Sequence, residues 1–114
     1  MRCHHFDSGA CRSCTLLDLP RPRQVADGRA RIEQLLSPFL ATGTGWDAPI
    51  LGAESGFRAR GKMAVAGSAQ EPRLTLPGQA AGADLCDCPL YPPGVEAVLV
   101  GAKALIRRAQ VPPY

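Results

Sequence analysis

The sequence predicts a small α+β domain: a cysteine-bearing loop plus a short antiparallel sheet with two flanking helices. Three observations predict it. Two segments repeat apolar residues at helical spacing, one before the middle of the chain and one near its end. Between them one run alternates apolar and polar residues, the period of a half-buried strand, and a second short β-prone stretch follows a Gly-Ser turn. Eleven prolines and twelve glycines in 114 residues keep every element short.

Residues 1–20 read as a loop, with Ser8 and Gly9 allowing tight turns and Pro20 and Pro22 closing the segment. A helix is expected from about Arg23 to Leu36. Val25, Arg29, Ile32, Leu35, Leu36 and Phe39 follow its period, and the Arg29 stem can lie along the apolar edge. Gly28 weakens this helix and Pro38 ends it. Residues 41–56 form a Gly-, Thr- and Pro-rich connector. The clearest strand is Phe57–Ala66, with Phe57, Ala59, Gly61, Met63 and Val65 on one face and Arg58, Arg60, Lys62 and Ala64 on the other. After a turn at Gly67-Ser68 comes a strand around Arg73–Leu76, then a Gly-rich loop from Pro77 to Gly82. A last helix is expected over Pro93–Ala109, with a stripe of Val95, Val98, Leu99, Ala102, Leu105, Ile106 and Ala109. Glu96 in its first turn and Arg107 and Arg108 in its last suit the helix dipole. The Pro-Pro segment ending at Tyr114 reads as a lead into something further.

A domain of this size buries roughly two-thirds of its unfolded surface, so its core is modest and a metal staple would help. One Trp, two Tyr and three Phe are too few to stack many bases. The net charge is +3, and the basic excess lies wholly before Met63, which suits a polyanionic partner. No stretch is long and apolar enough to span a membrane, and His4, His5, Asp7 and Arg12 interrupt any signal core. A cytoplasmic, reducing location is expected, where five cysteines argue for metal ligation over disulfides.

The cysteines carry most of the chemistry. Cys3, Cys11 and Cys14 follow a Cys-x7-Cys-x2-Cys pattern, and Cys86 and Cys88 sit far downstream in L-C-D-C-P-L. Soft thiolates select zinc or iron–sulfur. Zinc ribbons use two close knuckles, and only Cys11-x2-Cys14 is one here. Several cysteines from one loop plus a remote Cys-Pro is a common [4Fe–4S] arrangement. On that reasoning Cys3, Cys11, Cys14 and Cys88 are the ligands, and Cys86 is spare. Zinc stays open, as do cysteines that merely pack. One of His4 and His5 could also ligate, but adjacent residues of an extended chain point apart, so at most one would.

On the predicted strand, Arg58, Arg60 and Lys62 form a row of cations at about 7 Å spacing, near the phosphate step of an extended nucleic acid. The pattern alone fits a solvated sheet face equally well.

Three blocks together carry a resemblance: C-x7-C-R-S-C at Cys3–Cys14, G-F-R-A-R-G-K-M-A-V at Gly56–Val65 and D-L-C-D-C-P-L-Y-P at Asp84–Pro92. In their order and spacing the chain resembles the N-terminal part of the RNA uridine C5-methyltransferases that carry an iron–sulfur cluster. It is most similar to the branch that methylates 23S ribosomal RNA and lacks a small N-terminal barrel. The resemblance implies a 4Fe–4S cluster on Cys3, Cys11, Cys14 and Cys88, and RNA contact through Arg58, Arg60 and Lys62. It implies residues 1–20 and 84–92 as cluster-binding segments, and residues 21–83 and 93–114 as part of a central RNA-recognition domain. It also implies methyl transfer from S-adenosylmethionine, in which a cysteine thiolate adds to uracil C6 and a carboxylate later removes the C5 proton.

The chain departs from that family in having no Gly-rich cofactor loop and no Rossmann-like catalytic domain. No cysteine here matches the family's nucleophile, so no catalytic residue is expected. The expectation is therefore an N-terminal fragment, a monomer partnered by 23S ribosomal RNA and inactive alone. Two other readings compete: a freestanding zinc- or cluster-binding RNA module without catalysis, and a ferredoxin-type electron carrier. The long spacing to the last ligand and the basic charge speak against the carrier.

Overall fold

A computed structural model describes residues 1–79 and 81–113. Ala80, inside the predicted Gly-rich loop, and Tyr114 lie outside the described residues. Two compact units share the chain: Met1–Ser13 with Ala53–Tyr114, and Cys14–Gly52. The α+β class holds, with helices and one two-stranded antiparallel sheet among the described residues.

The first unit opens with α1 (His4–Asp7), a single turn where the sequence suggested only loop. Cys3 is extended, and its carbonyl accepts the Phe6 and Asp7 N–H groups at 3.0 and 2.9 Å. Gly9, at φ +77°, reverses the chain, and the Cys11 N–H returns to the His5 carbonyl at 2.9 Å. Positive φ is the conformation only glycine adopts without strain.

The sheet pairs β1 (Ala64–Gly67) with β2 (Pro72–Thr75), running from Ala64 opposite Thr75 to Gly67 opposite Pro72. At the turn, Gly67 has φ +85°, and a Cβ there would stand 2.3 Å from the Glu71 carbonyl oxygen. The Ser68 hydroxyl accepts the Glu71 N–H at 3.0 Å and fixes the reversal.

The strand predicted over Phe57–Ala66 is corrected to these last residues. Residues 57–63 are irregular. Alternation prepares a strand but does not supply a partner, and β2 stops at Thr75 two residues before Pro77, which has no N–H to offer a ladder. The segment instead lies beside residues 89–91: the Gly56 and Arg58 N–H groups donate to the Pro89 and Leu90 carbonyls at 3.0 and 2.8 Å.

Leu74 of β2 is held on both backbone groups by the chain that follows. Its N–H donates to Asp84 Oδ1 at 3.2 Å, and its carbonyl accepts the Leu85 N–H at 2.8 Å. The core gathers there: Phe6, Ala66, Leu74, Leu85, Cys3 and Cys86 are buried, with Pro72 and Thr75 among them.

Helix α3 (Val95–Ala109) begins after Pro92-Pro93 at Gly94 (φ +90°) and ends at Gln110 in the left-handed region. It packs on β2, but not with the whole predicted stripe. Val95, Leu99, Lys103 and Ile106 are partly covered, whereas Val98, Leu105 and Ala102 are exposed. Polar bonds rotate the helix this way. The Lys103 ammonium pairs with Asp84, and Arg107 Nε donates to the Gln70 carbonyl at 2.8 Å.

The second unit contains α2 (Arg21–Leu36) and a 3₁₀ turn at Ser37–Phe39. Pro22 sits inside its first turn rather than before it, because a first-turn proline loses no intrahelical bond. Gln24 donates to the Leu16 and Leu19 carbonyls at 3.0 and 2.8 Å and ties the preceding turn to the helix. The Arg29 head is taken up by an ion pair. It pairs with Glu33 at 2.6 Å, as Arg23 does with Asp27 at 2.8 Å. No residue of α2 is buried.

Candidate metal centre

Cys3 caps the start of α1, and Cys11 follows the Gly9 reversal, its N–H bonded to the His5 carbonyl of α1. Cys88 enters from the other end of the unit. Its N–H donates to the Leu85 carbonyl at 3.2 Å, and its own carbonyl accepts the Tyr91 N–H at 3.1 Å. Burial pushes the Cys88 thiol up. The Leu90 backbone lowers it, Cys3 and Cys11 raise it further, and the Arg58 guanidinium lowers it. Charges act on one another this way only at short range in a partly buried site. Cys3 and Cys11 thus act electrostatically on Cys88, 85 positions from Cys3 in sequence, but among the described residues no three cysteine sulfurs lie within 4.8 Å of one another. Cys14 is the first residue of the second unit.

Cys86 differs from Cys88. It is buried, and its Sγ donates to Asp84 Oδ1 at 3.2 Å. Burial first, then the Asp84 carboxylate, push its thiol up to about 11. The hydrogen bond to Asp84, more than the protonation state, sets Cys86 apart, since Cys88 is raised too. Asp84 itself is raised by burial, but the bonds from Lys103, Cys86 and the Leu74 N–H outweigh this and hold it below the usual carboxylate value. This carboxylate therefore joins β2, the Cys86 loop and α3 at one point.

Between the two loop cysteines, the Asp87 carboxylate faces both histidines as an acceptor: His5 Nε2 lies 2.7 Å from Oδ1 and His4 Nε2 lies 3.1 Å from Oδ2. The expectation that adjacent histidines point apart is overturned. They sit on a helical turn, not an extended chain, and their ring centroids are 3.9 Å apart. Asp87, Asp84 and Lys103 escaped the sequence reading. The C-D-C spelling was the available signal for Asp87; its partners lie over eighty residues away.

Arg58, Arg60 and Lys62 are all exposed on the irregular segment 57–63 rather than on a strand face. The regular row of cations that the strand would have made is therefore absent among these residues. No helix among the described residues is long and apolar enough to cross a membrane.

The architecture defines a small α+β module that carries cysteines near both ends of one unit. Over its full length the chain is 44% identical to the 23S rRNA (uracil(747)-C(5))-methyltransferase RlmC of Yersinia pestis strain Pestoides F, covering 30% of that protein. The same holds for the enzyme of that name from Yersinia pseudotuberculosis serotype I, again 44% identical with 30% of it covered. The chain is thus a homologue of the N-terminal region of RNA uracil-C5-methyltransferases, and it spans about 30% of the length of the curated relatives it matches. No family model matches the chain. No solved structure matches it either.

Proposed function

We propose that this chain is the metal-holding and RNA-holding N-terminal portion of an S-adenosylmethionine-dependent 23S rRNA uracil-C5-methyltransferase acting in the cytoplasm as a monomer. Cys3, Cys11, Cys14 and Cys88 would hold a 4Fe–4S cluster, with residues 1–20 and 84–92 as its segments. Residues 21–83 and 93–114 are part of the RNA-recognition domain, where Arg58, Arg60 and Lys62 meet phosphates. These 114 residues alone transfer no methyl group, since none of them supplies the nucleophile or the cofactor loop.

The observation that carries this reading is the full-length likeness to the N-terminal region of RlmC enzymes. The donor chemistry supports the cluster. Cys3, Cys11 and Cys88 belong to one compact unit, while Cys86 is turned into a hydrogen bond with Asp84. A bound cluster supplies a rigid cross-link; the methyl transfer needs no electron from it. Cys3 would present its sulfur from the start of α1 and Cys11 from the loop after Gly9, Cys14 lies three residues on, and Cys88 would close the set from the loop that follows β2.

Anaerobic reconstitution with iron and sulfide tests this. A brown protein with broad absorption near the visible blue is expected. Cys88→Ser should lose the colour and Cys86→Ser should keep it. A colourless protein that binds one tight zinc would overturn the cluster assignment, and the reverse behaviour of the two variants would overturn the choice of Cys88.

A further inference from the structure

We propose that His4, His5 and Asp87 form a second metal site, for a divalent transition cation such as Zn²⁺, Co²⁺ or Ni²⁺, with two imidazoles and one carboxylate as ligands. One ligand atom from each of the three residues falls within 4.8 Å of the others. The three residues come from the two loops that carry the cysteines, and none of the donors is a sulfur. Two imidazoles and a carboxylate are a borderline-hard set that suits these ions, unlike the soft thiolate set beside it.

The geometry needs little adjustment. Ligands at about 2.0–2.1 Å in a tetrahedral shell stand about 3.3 Å from one another. The imidazole–carboxylate contacts are 2.7 Å to Oδ1 and 3.1 Å to Oδ2, so an ion between the rings meets both carboxylate oxygens, and the contacts would open by about 0.6 and about 0.2 Å. His5 is the fixed ligand: it is 7% exposed, and its backbone carbonyl is bonded by the Cys11 N–H. His4 and Asp87 have exposed side chains, which gives an ion a way in and leaves room for water to complete the shell. Both nitrogens that meet the carboxylate are Nε2 atoms, the outer ring positions, so the two rings already converge. Without an ion the same groups make a hydrogen-bonded bridge between α1 and the Cys86–Cys88 loop. An ion replaces that bridge across the same gap. The site does not depend on whether the thiolates hold iron–sulfur or zinc.

Cobalt titration of the full chain under nitrogen, read by absorbance and by equilibrium dialysis, separates the two donor sets. Thiolate-bound Co²⁺ has intense sulfur-to-metal bands in the near ultraviolet, and nitrogen- and oxygen-bound Co²⁺ has only weak visible bands. One Co²⁺ per chain beyond those that give the thiolate bands is expected. His4→Ala and Asp87→Asn should each weaken it at least about tenfold, leaving the thiolate bands unchanged. Cys88→Ser should do the converse. Because His4 is exposed, its variant keeps the fold, which far-ultraviolet circular dichroism checks. Equal binding by wild type and His4→Ala would overturn the proposal. So would loss of the thiolate bands in His4→Ala, which would make the imidazole part of the sulfur centre.

Discussion

Replacing Asp84 should loosen three elements at once. Its carboxylate accepts the Leu74 N–H and the Cys86 thiol, each at 3.2 Å, and pairs with the Lys103 ammonium. Hydrogen bonds to a charged group contribute about 1.5–3 kcal/mol each when buried. The pair is discounted here because Lys103 and Asp84 side chains remain 21% and 30% exposed, and exposure screens the attraction. Asp84→Ala, which removes the charge and both acceptors, should cost about 2–3 kcal/mol. Asp84→Asn keeps an oxygen for Leu74 and Cys86 and should cost about 1 kcal/mol. Native-state amide exchange at Leu85 and across β1 and β2 reads this locally. A loss of 2 kcal/mol speeds exchange about thirtyfold, since about 1.4 kcal/mol is a factor of ten.

The pH dependence has a definite sign. The folded carboxyl lies below the usual 3.8, so the stabilisation is complete above that value and is lost as pH falls through the lower folded value. The gap between wild type and Asp84→Asn should therefore close in acid. An exchange change under about twofold for Asp84→Ala, or a gap that is flat with pH, would refute the reasoning.

Gly67→Ala should cost about 2–3 kcal/mol in urea unfolding, because a left-handed residue gains a Cβ against the Glu71 carbonyl oxygen. Phe6→Ala should cost about 3 kcal/mol by the same measurement, since Phe6 is buried in a core too small to refill the void. If Arg58, Arg60 and Lys62 touch phosphates, neutralising each should lower the log–log salt slope of RNA binding by a little under one; an unchanged slope would return them to ordinary surface cations.

The sequence made α3 legible because several signals agreed there: Pro-Pro and Gly before it, apolar periodicity, and acids and bases at the fitting ends. Its rotation was not legible, since Lys103 turns inward to a carboxylate nineteen residues earlier. The long strand was over-read because periodicity reports what a segment can do in a sheet, not whether a neighbour exists. One-turn α1 is shorter than any period can reveal. Among the candidate ligands, the pattern of Cys3, Cys11 and Cys88 was visible as spacing. The meeting of His4, His5 and Asp87 was not, because it depends on how the two ends of the unit pack.

The grip on Leu74 has a consequence for assembly. Its outward N–H and carbonyl are the groups a passing strand would use, and the Asp84 carboxylate and Leu85 amide already occupy them. That flank of β2 is sealed by a side chain imitating a backbone acceptor. Any strand that adds to this hairpin must come alongside β1.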